Sequence, residues 1–426
     1  MPSNTFVLRG DICYSETPAT LVTREDGYLV CVEGVSRGVF PRLPDEYRSL
    51  LLLDYRGKLV VPGLVDLHTH APQFSFHGLG MDCELMEWLS VHAFPEEAKY
   101  ADARYAEKAY AQFVDDLVEG PNTRSVIFAT IHRASALLLM DMLEASGLVC
   151  MAGKVNMDRN TPDALCEKDG ETSLAETRLW LAECAARPYQ NTYPILTPRF
   201  VPSCSDGLLR GLGELQKEFS LPLQSHLSEN SGEIAFVKEL YPDISCYGGV
   251  YQRFGLFGEG GRTVMAHCVW CGEEEIALLK KNGVFVAHCP QSNTNLASGI
   301  APIRRYLTEG LAMGLGSDVA GGVHTSIFRA MQDAVAVSKL RQCLVNRDER
   351  PLTIEEAFYL ATKGGGAFFG KAGSFEAGFE CDILVIDDAS LTPRVPLPVK
   401  ERLERAVYLS DDRHIAAKWA RGMRIL

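Results

Sequence analysis

The densest chemistry in the chain sits in Asp66-Leu67-His68-Thr69-His70, where two histidines separated by one residue end an apolar run. In an extended strand, residues two apart point to the same side. His68 and His70 therefore project together, and two neutral imidazoles held this way can bind one divalent metal ion. The plain alternative is a pair of histidines packed in a polar core, and an isolated HxH does not separate the two. More distant residues bear on the choice. His226 closes Pro-Leu-Gln-Ser-His, His267 closes Thr-Val-Met-Ala-His, His288 closes Phe-Val-Ala-His, and Asp318 follows Gly-Leu-Gly-Ser. Any one of them could be a satisfied core group. Their recurrence at one end of successive apolar runs points instead to a single constellation.

Those runs alternate with longer amphipathic stretches, which is the pattern of βα units. Strands are expected at 64–70, 125–131, 149–157, 193–200, 222–227, 263–269, 284–288 and 312–317, with helices at 105–118, 174–186, 233–240 and 273–281. Such units across 66–375 predict an α/β fold, a (β/α)8 TIM-like barrel, whose active sites lie at the C-terminal ends of the strands. Residues 1–65 read as short strands with turn signals, and 373–387 returns to strand-like residues. A small β-sandwich domain built from 1–65 together with 376–426 is therefore expected. The Pro-rich stretch 392–398 reads as an extended surface connection.

Composition narrows the function. Of 426 residues, 46% are hydrophobic and 23% charged, enough for a large core. A formal charge of −13 repels phosphate backbones and anionic lipid, which argues against nucleic acid and membrane partners but suits a small neutral substrate. The apolar stretches are far shorter than a membrane span, and the first residues lack the core of a signal peptide. Thirteen cysteines in that context predict reduced thiols in a cytoplasm, with the single CxxC at Cys268–Cys271 incidental.

The segments VPGLVDLHTHAPQFSFHG, EWLSVHAFP, FATIH, ILTPRFVPSCS, QSHLSEN, VMAHC, AHCPQSNTNLASG and GLGSDVAGG, with GSFEAGFECDILVID near the end, carry a resemblance over most of the chain. In that order they resemble the amidohydrolase superfamily of metal-dependent hydrolases. Gln73, TPRF and HLSE bring the likeness nearest to members that deaminate guanine. The resemblance implies metal ligands His68, His70, His226 and Asp318, with His267 facing bound water and substrate, and it implies a homodimer. Three nitrogens and a carboxylate with a position left for water suit one Zn(2+) per chain, and Fe(2+) fits as well. Two-metal members bridge their ions with a modified lysine on the fourth strand. That strand holds no lysine here, so one metal is expected.

The implied reaction is hydrolytic deamination of guanine to xanthine and ammonia, a step of purine catabolism. Asp318 can take a proton from metal-bound water, and Glu229, three residues after His226, can protonate a ring nitrogen and carry protons to the leaving amine. His267 can stabilise the tetrahedral intermediate. Gln73 and Arg199 match positions that contact the base, and Arg199 offers a fixed fork of donors. Phe200 could stack on the purine, whereas Trp88 is expected to be ordinary core packing. The alternative reading keeps the fold and chemistry but takes 8-oxoguanine, another aminopurine or an amino-triazine as the substrate instead. A barrel that only binds would be expected to have lost ligands, and all four are present. His77, His92, His132 and His324 have no assigned role, and His414 is expected at the surface.

Overall fold

A computed structural model describes residues 4–391, 393 and 395–426, so Thr392 and Arg394 of the Pro-rich connection lie outside the described residues. The chain opens with β1 (Phe6–Thr17), β2 (Thr20–Val32), β3 (Val35–Phe40) and β4 (Leu52–Pro62). After Gly63 come the strands of the next layer: β5 (Leu64–His70), β6 (Asn122–Phe128), β7 (Val149–Gly153), the short β8 (Val155–Asn156), β9 (Thr192–Pro194) and the short β10 (Thr197–Pro198). They continue as β11 (Leu223–Leu227), β12 (Thr263–His267), β13 (Phe285–His288) and β14 (Met313–Leu315). The last three, β15 (Ile383–Ile386), β16 (Ile415–Ala420) and β17 (Met423–Arg424), rejoin the first sheet.

Two parallel sheets make the barrel, β5-β6-β7-β9 and β11-β12-β13-β14. A parallel bridge between Leu196 and Leu223 joins them on one side. On the other, the Asp318 N–H donates to the His68 carbonyl at 2.8 Å. Beside it, the Asp66 carboxylate accepts from the Ser317 N–H at 3.0 Å and the Ser317 hydroxyl at 2.5 Å. Eight strands thus succeed one another around a TIM-type barrel. Val65, Leu67, Val126, Met151, Ile195, Val264, Ala266 and Ala287 come from around this ring and form one buried apolar cluster, so the barrel is a packed core.

The strands fall where the apolar runs place them, with instructive departures. β6 begins at Asn122, three residues early, because the polar Asn-Thr-Arg segment is buried and finds partners for most of its polar groups. Arg124 Nε lies 2.5 Å from Asp382 and its Nη2 2.6 Å from Glu380. The third and fourth expected strands are each broken in two, and Pro194 and Pro198 supply no N–H for a continuous ladder. Helices Ala103–Glu119, Gly170–Ala186 and Ser231–Leu240 start before the apolar period does, since Asp102, Asp169 and Asn230 cap them. Helix Glu273–Asn282 falls as expected.

The terminal segments do combine, in strand order β17-β16-β15-β4-β1-β2-β3. Backbone bonding runs unbroken through all seven strands, and Val35 of β3 bridges back to Glu380, so the expected sandwich is one continuous sheet folded on itself. Register slips between Gly10 and Ile12 in the long β1 let such a sheet bend, as bulges do. Phe6, Leu8, Ile12, Leu29, Ile383 and Trp419 fill its apolar side. The tail also carries a helix, Val399–Leu409, which its proline-rich approach conceals. His414 is partly buried rather than on the surface, and its ring accepts the Asp411 N–H at 3.1 Å. No helix among the described residues is long and apolar enough to cross a membrane.

Candidate active site

The C-terminal ends of the barrel strands bring the predicted residues together. Between Asp66 and Thr69, β5 spends three residues against two of β6, a bulge of the kind that re-aims side chains beside active sites. His70 Nε2 lies 3.3 Å from His68 Nε2 and 3.2 Å from His226 Nε2. Asp318 Oδ1 lies 3.1 Å from His68 Nε2 and 3.5 Å from His70 Nε2. Four donors about 2.1 Å from a tetrahedral ion stand about 3.4 Å apart. The separations of His70 from His68 and His226, and of Asp318 from His68 and His70, match that spacing, while Asp318 and His226 lie on opposite sides of the group. Burial pushes the His70 and His226 imidazoles well below their ordinary pKa, into the neutral form that ligates metal. Three ring nitrogens this close can present their lone pairs to one cation once none of them carries the hydrogen on Nε2.

Neighbouring atoms hold the cage in shape. The His226 Nδ1–H donates to the Arg199 carbonyl at 2.6 Å, which leaves Nε2 free to ligate. A Cβ on Gly316 would meet Cys289 Sγ at 2.8 Å and His68 Cβ at 3.0 Å, so only glycine lets the last strand approach. Backbone strain concentrates here too: Ser228, His267, Cys268 and Asp318 all have positive φ, at 47°, 73°, 49° and 48°. Such conformations cost roughly 1–3 kcal/mol each and persist where surrounding structure enforces them.

A second group within 4.8 Å consists of His68, His267, Cys289 and Asp318. Cys289 is the misfit: burial raises its thiol well above its ordinary pKa, and it donates to the Ala287 carbonyl at 3.5 Å. His288, the remaining histidine at a strand end, is outside both groups. It is buried, its pKa is pushed down to about 3 by desolvation, and neither ring nitrogen has a hydrogen-bond partner among the described residues.

Beyond the cage, Glu229 and His267 form a buried pair, with Oε2 and Nε2 3.4 Å apart. Burial raises the Glu229 carboxyl to about 7. Burial alone would lower His267, but the Glu229 and Asp318 carboxylates outweigh it and raise the imidazole above its ordinary value. The pocket over these groups is lined by His70, Gln73, Trp88, Arg199, Phe200, Glu229, His267 and Asp318, among others. Trp88 therefore faces the pocket rather than only the core, and its buried indole N–H has no partner among the described residues.

The matched sequence model is that of the amidohydrolase family, over residues 59–424. The chain belongs to the amidohydrolase family. Curated relatives in it include guanine deaminase of Dictyostelium discoideum, 38% identical over 88% of this chain and 84% of that protein. Guanine deaminase of Homo sapiens is 37% identical over 86% and 82%. Among solved structures, the guanine deaminase of C. acetobutylicum with guanine bound in its active site superposes with a TM-score of 0.96, at 43% identity, covering 99% of this chain and 100% of that one.

Several residues of this amidohydrolase site carry no sequence signal of their own. Asn293 Oδ1 accepts from His267 Nδ1 at 2.9 Å, and the Ser298 hydroxyl donates to Glu229 Oε1 at 3.1 Å. Glu233 accepts the Glu229 N–H at 3.1 Å. Glu97, buried, accepts from both Gln73 and Arg199. Asn293 and Ser298 stand inside the AHCPQSNTNLASG segment, which could have pointed to them.

Proposed function

We propose that this chain hydrolyses guanine to xanthine and ammonia with one Zn(2+) per chain. The observation that carries the reading is the meeting of three imidazole nitrogens and one carboxylate at a pocket whose wall also holds Arg199 and Gln73. The extended likeness to guanine deaminases supports it.

His68, His70, His226 and Asp318 would hold a divalent ion here, which would lower the pKa of bound water to about 7 and supply hydroxide at neutral pH. The chain's own groups do the rest. Asp318 turns Oδ1 to His68 and Oδ2 toward His267 at 3.7 Å, so Oδ2 is placed to accept the water proton. Carbon C2 of guanine is flanked by N1, which carries hydrogen, and N3, which carries a lone pair. Glu229 gives its proton to N3, which makes C2 electrophilic, and then carries a proton to the amine, because ammonia leaves well only once protonated. His267 donates to the oxygen as C2 becomes tetrahedral. Arg199 and Gln73 bind the polar edge away from C2, and Phe200 covers a face of the base.

We place the reaction in purine catabolism, in a cytoplasmic homodimer. Leu340, Leu344 and Val345 are exposed at the end of helix Ile327–Leu344, an apolar surface that suits a second copy. The deciding experiment is a panel assay of ammonia release from guanine, 8-oxoguanine, adenine, cytosine and aminotriazines. Guanine should lead by a wide margin, and preference for any other base overturns the assignment.

A further inference from the structure

Both side chains assigned to the base end on one buried carboxylate. Gln73 Nε2 donates to Glu97 Oε1 at 2.8 Å, and Arg199 Nη1 donates to Glu97 Oε2 at 2.5 Å. Glu97 is only 4% exposed and stands behind the two side chains, not in the pocket lining. On the other side of the amide, Gln73 Oε1 accepts the Ala320 N–H at 3.1 Å.

These contacts leave the Gln73 amide one orientation. A carboxylate beside a guanidinium only accepts, so the amide must turn nitrogen toward Glu97. A backbone N–H only donates, so the amide must turn oxygen toward Ala320. Turning the amide over would set oxygen against oxygen at one end and N–H against N–H at the other. The second N–H of Gln73 is then the amide group left for the pocket. Arg199 likewise keeps donors beyond Nη1, and among the described residues none has another side-chain acceptor. The guanidinium also lies over the Phe94 ring at 5.2 Å, which fixes its plane.

We infer that Glu97 is the specificity-determining positioning residue of the pocket, holding Gln73 and Arg199 so that together they present hydrogen-bond donors and no acceptor. This rests on the deamination reading above and extends it to the choice of base. A wall of donors matches the O6 and N7 lone pairs of a 6-oxopurine. A 6-aminopurine brings N–H groups against N–H groups, and a buried mismatch of that kind is rejected far more strongly than a missing apolar contact.

The test compares guanine with 2,6-diaminopurine, which keeps the leaving amine at C2 but replaces O6 by an amino group. Zinc-loaded wild type and Glu97→Gln protein are assayed on both. A glutamine at 97 can pair with the Gln73 amide in either orientation, so the filter is lost. The ratio of kcat/KM values should shrink at least about tenfold, through a higher KM for guanine, with zinc content and thermal midpoint kept. Should Glu97→Gln not fold, Gln73→Leu removes the amide that Glu97 aims and should shrink the ratio in the same direction. An unchanged ratio in either folded variant overturns the role of Glu97. Binding isotherms of the two bases to the same proteins read the preference without turnover. Wild type that releases no ammonia from guanine therefore sinks the deamination reading, whereas an unmoved binding preference sinks the role of Glu97.

Discussion

Glu229 Oε2 stands 3.4 Å from His267 Nε2, and both side chains are buried against the metal cage. A carboxyl raised to about 7 and an imidazole raised by that same carboxyl can exchange a proton at little cost near neutral pH. Replacing Glu229 by glutamine keeps the size of the side chain and removes the titrating proton. Glu229→Gln should bind zinc and guanine as wild type does while kcat falls by about 100- to 10,000-fold. Turnover at the wild-type rate would take Glu229 out of the mechanism.

The pH profile follows from the same group. If Glu229 must deliver a proton to N3, it has to be protonated when guanine binds. Desolvation sets its pKa at about 7, so kcat/KM should decline on the alkaline side as pH rises through that value. The Ser298 hydroxyl donates to Oε1 and favours the ionised form. Ser298→Ala should therefore raise the Glu229 pKa and carry the alkaline limb to higher pH. A limb that stays in place would assign it to another group.

The cage itself predicts one ion. His68, His70 and His226 form one close group that Asp318 adjoins through His68 and His70, and the fourth strand brings Arg199 rather than a lysine to its end. Metal analysis of purified protein should find about one zinc per chain, and His70→Ala should retain little. Two ions per chain would contradict the arrangement. Because binding to the folded state alone stabilises it, chelation should also lower the thermal midpoint and zinc should restore it.

How much of this was legible in residue types depends on what each residue does. Candidate site residues at strand ends were readable because a barrel places them by period and order, and His68, His70, His226, His267 and Asp318 come together where those runs point. Glu97 was not, since a Glu96-Glu97 pair on a short helix reads as a solvated face, yet both are buried. His288 shares the strand-end position of the ligands and still lies outside the cage, a distinction that spacing cannot make. Strand ends were blurred where polar residues are satisfied by remote partners. Nothing in residue type marks Arg124 or Lys418 as buried, yet Lys418 Nζ donates to the carbonyls of Leu117, Gly120 and Asn122 inside the molecule.

Arg124 shows what such a remote partner is worth. It stands near the start of β6 and reaches Asp382 with Nε at 2.5 Å, both side chains fully buried, and Glu380 with Nη2 at 2.6 Å. Glu380 also meets Arg421 Nε at 3.2 Å, so one network, buried at Arg124 and Asp382 and half-buried at Glu380 and Arg421, ties the barrel to the seven-stranded sheet. Removing one partner of a buried pair leaves the other charge without compensation, at a cost of about 3–5 kcal/mol. Arg124→Ala should lose about that much stability by denaturant titration. The junction lies at the N-terminal end of β6, opposite the strand ends that carry the cage. Protein that remains folded should therefore keep its kcat and its zinc. A loss below about 1 kcal/mol would mean that water solvates the pair after all, and a fall in kcat at full zinc content would mean that the junction reaches the site.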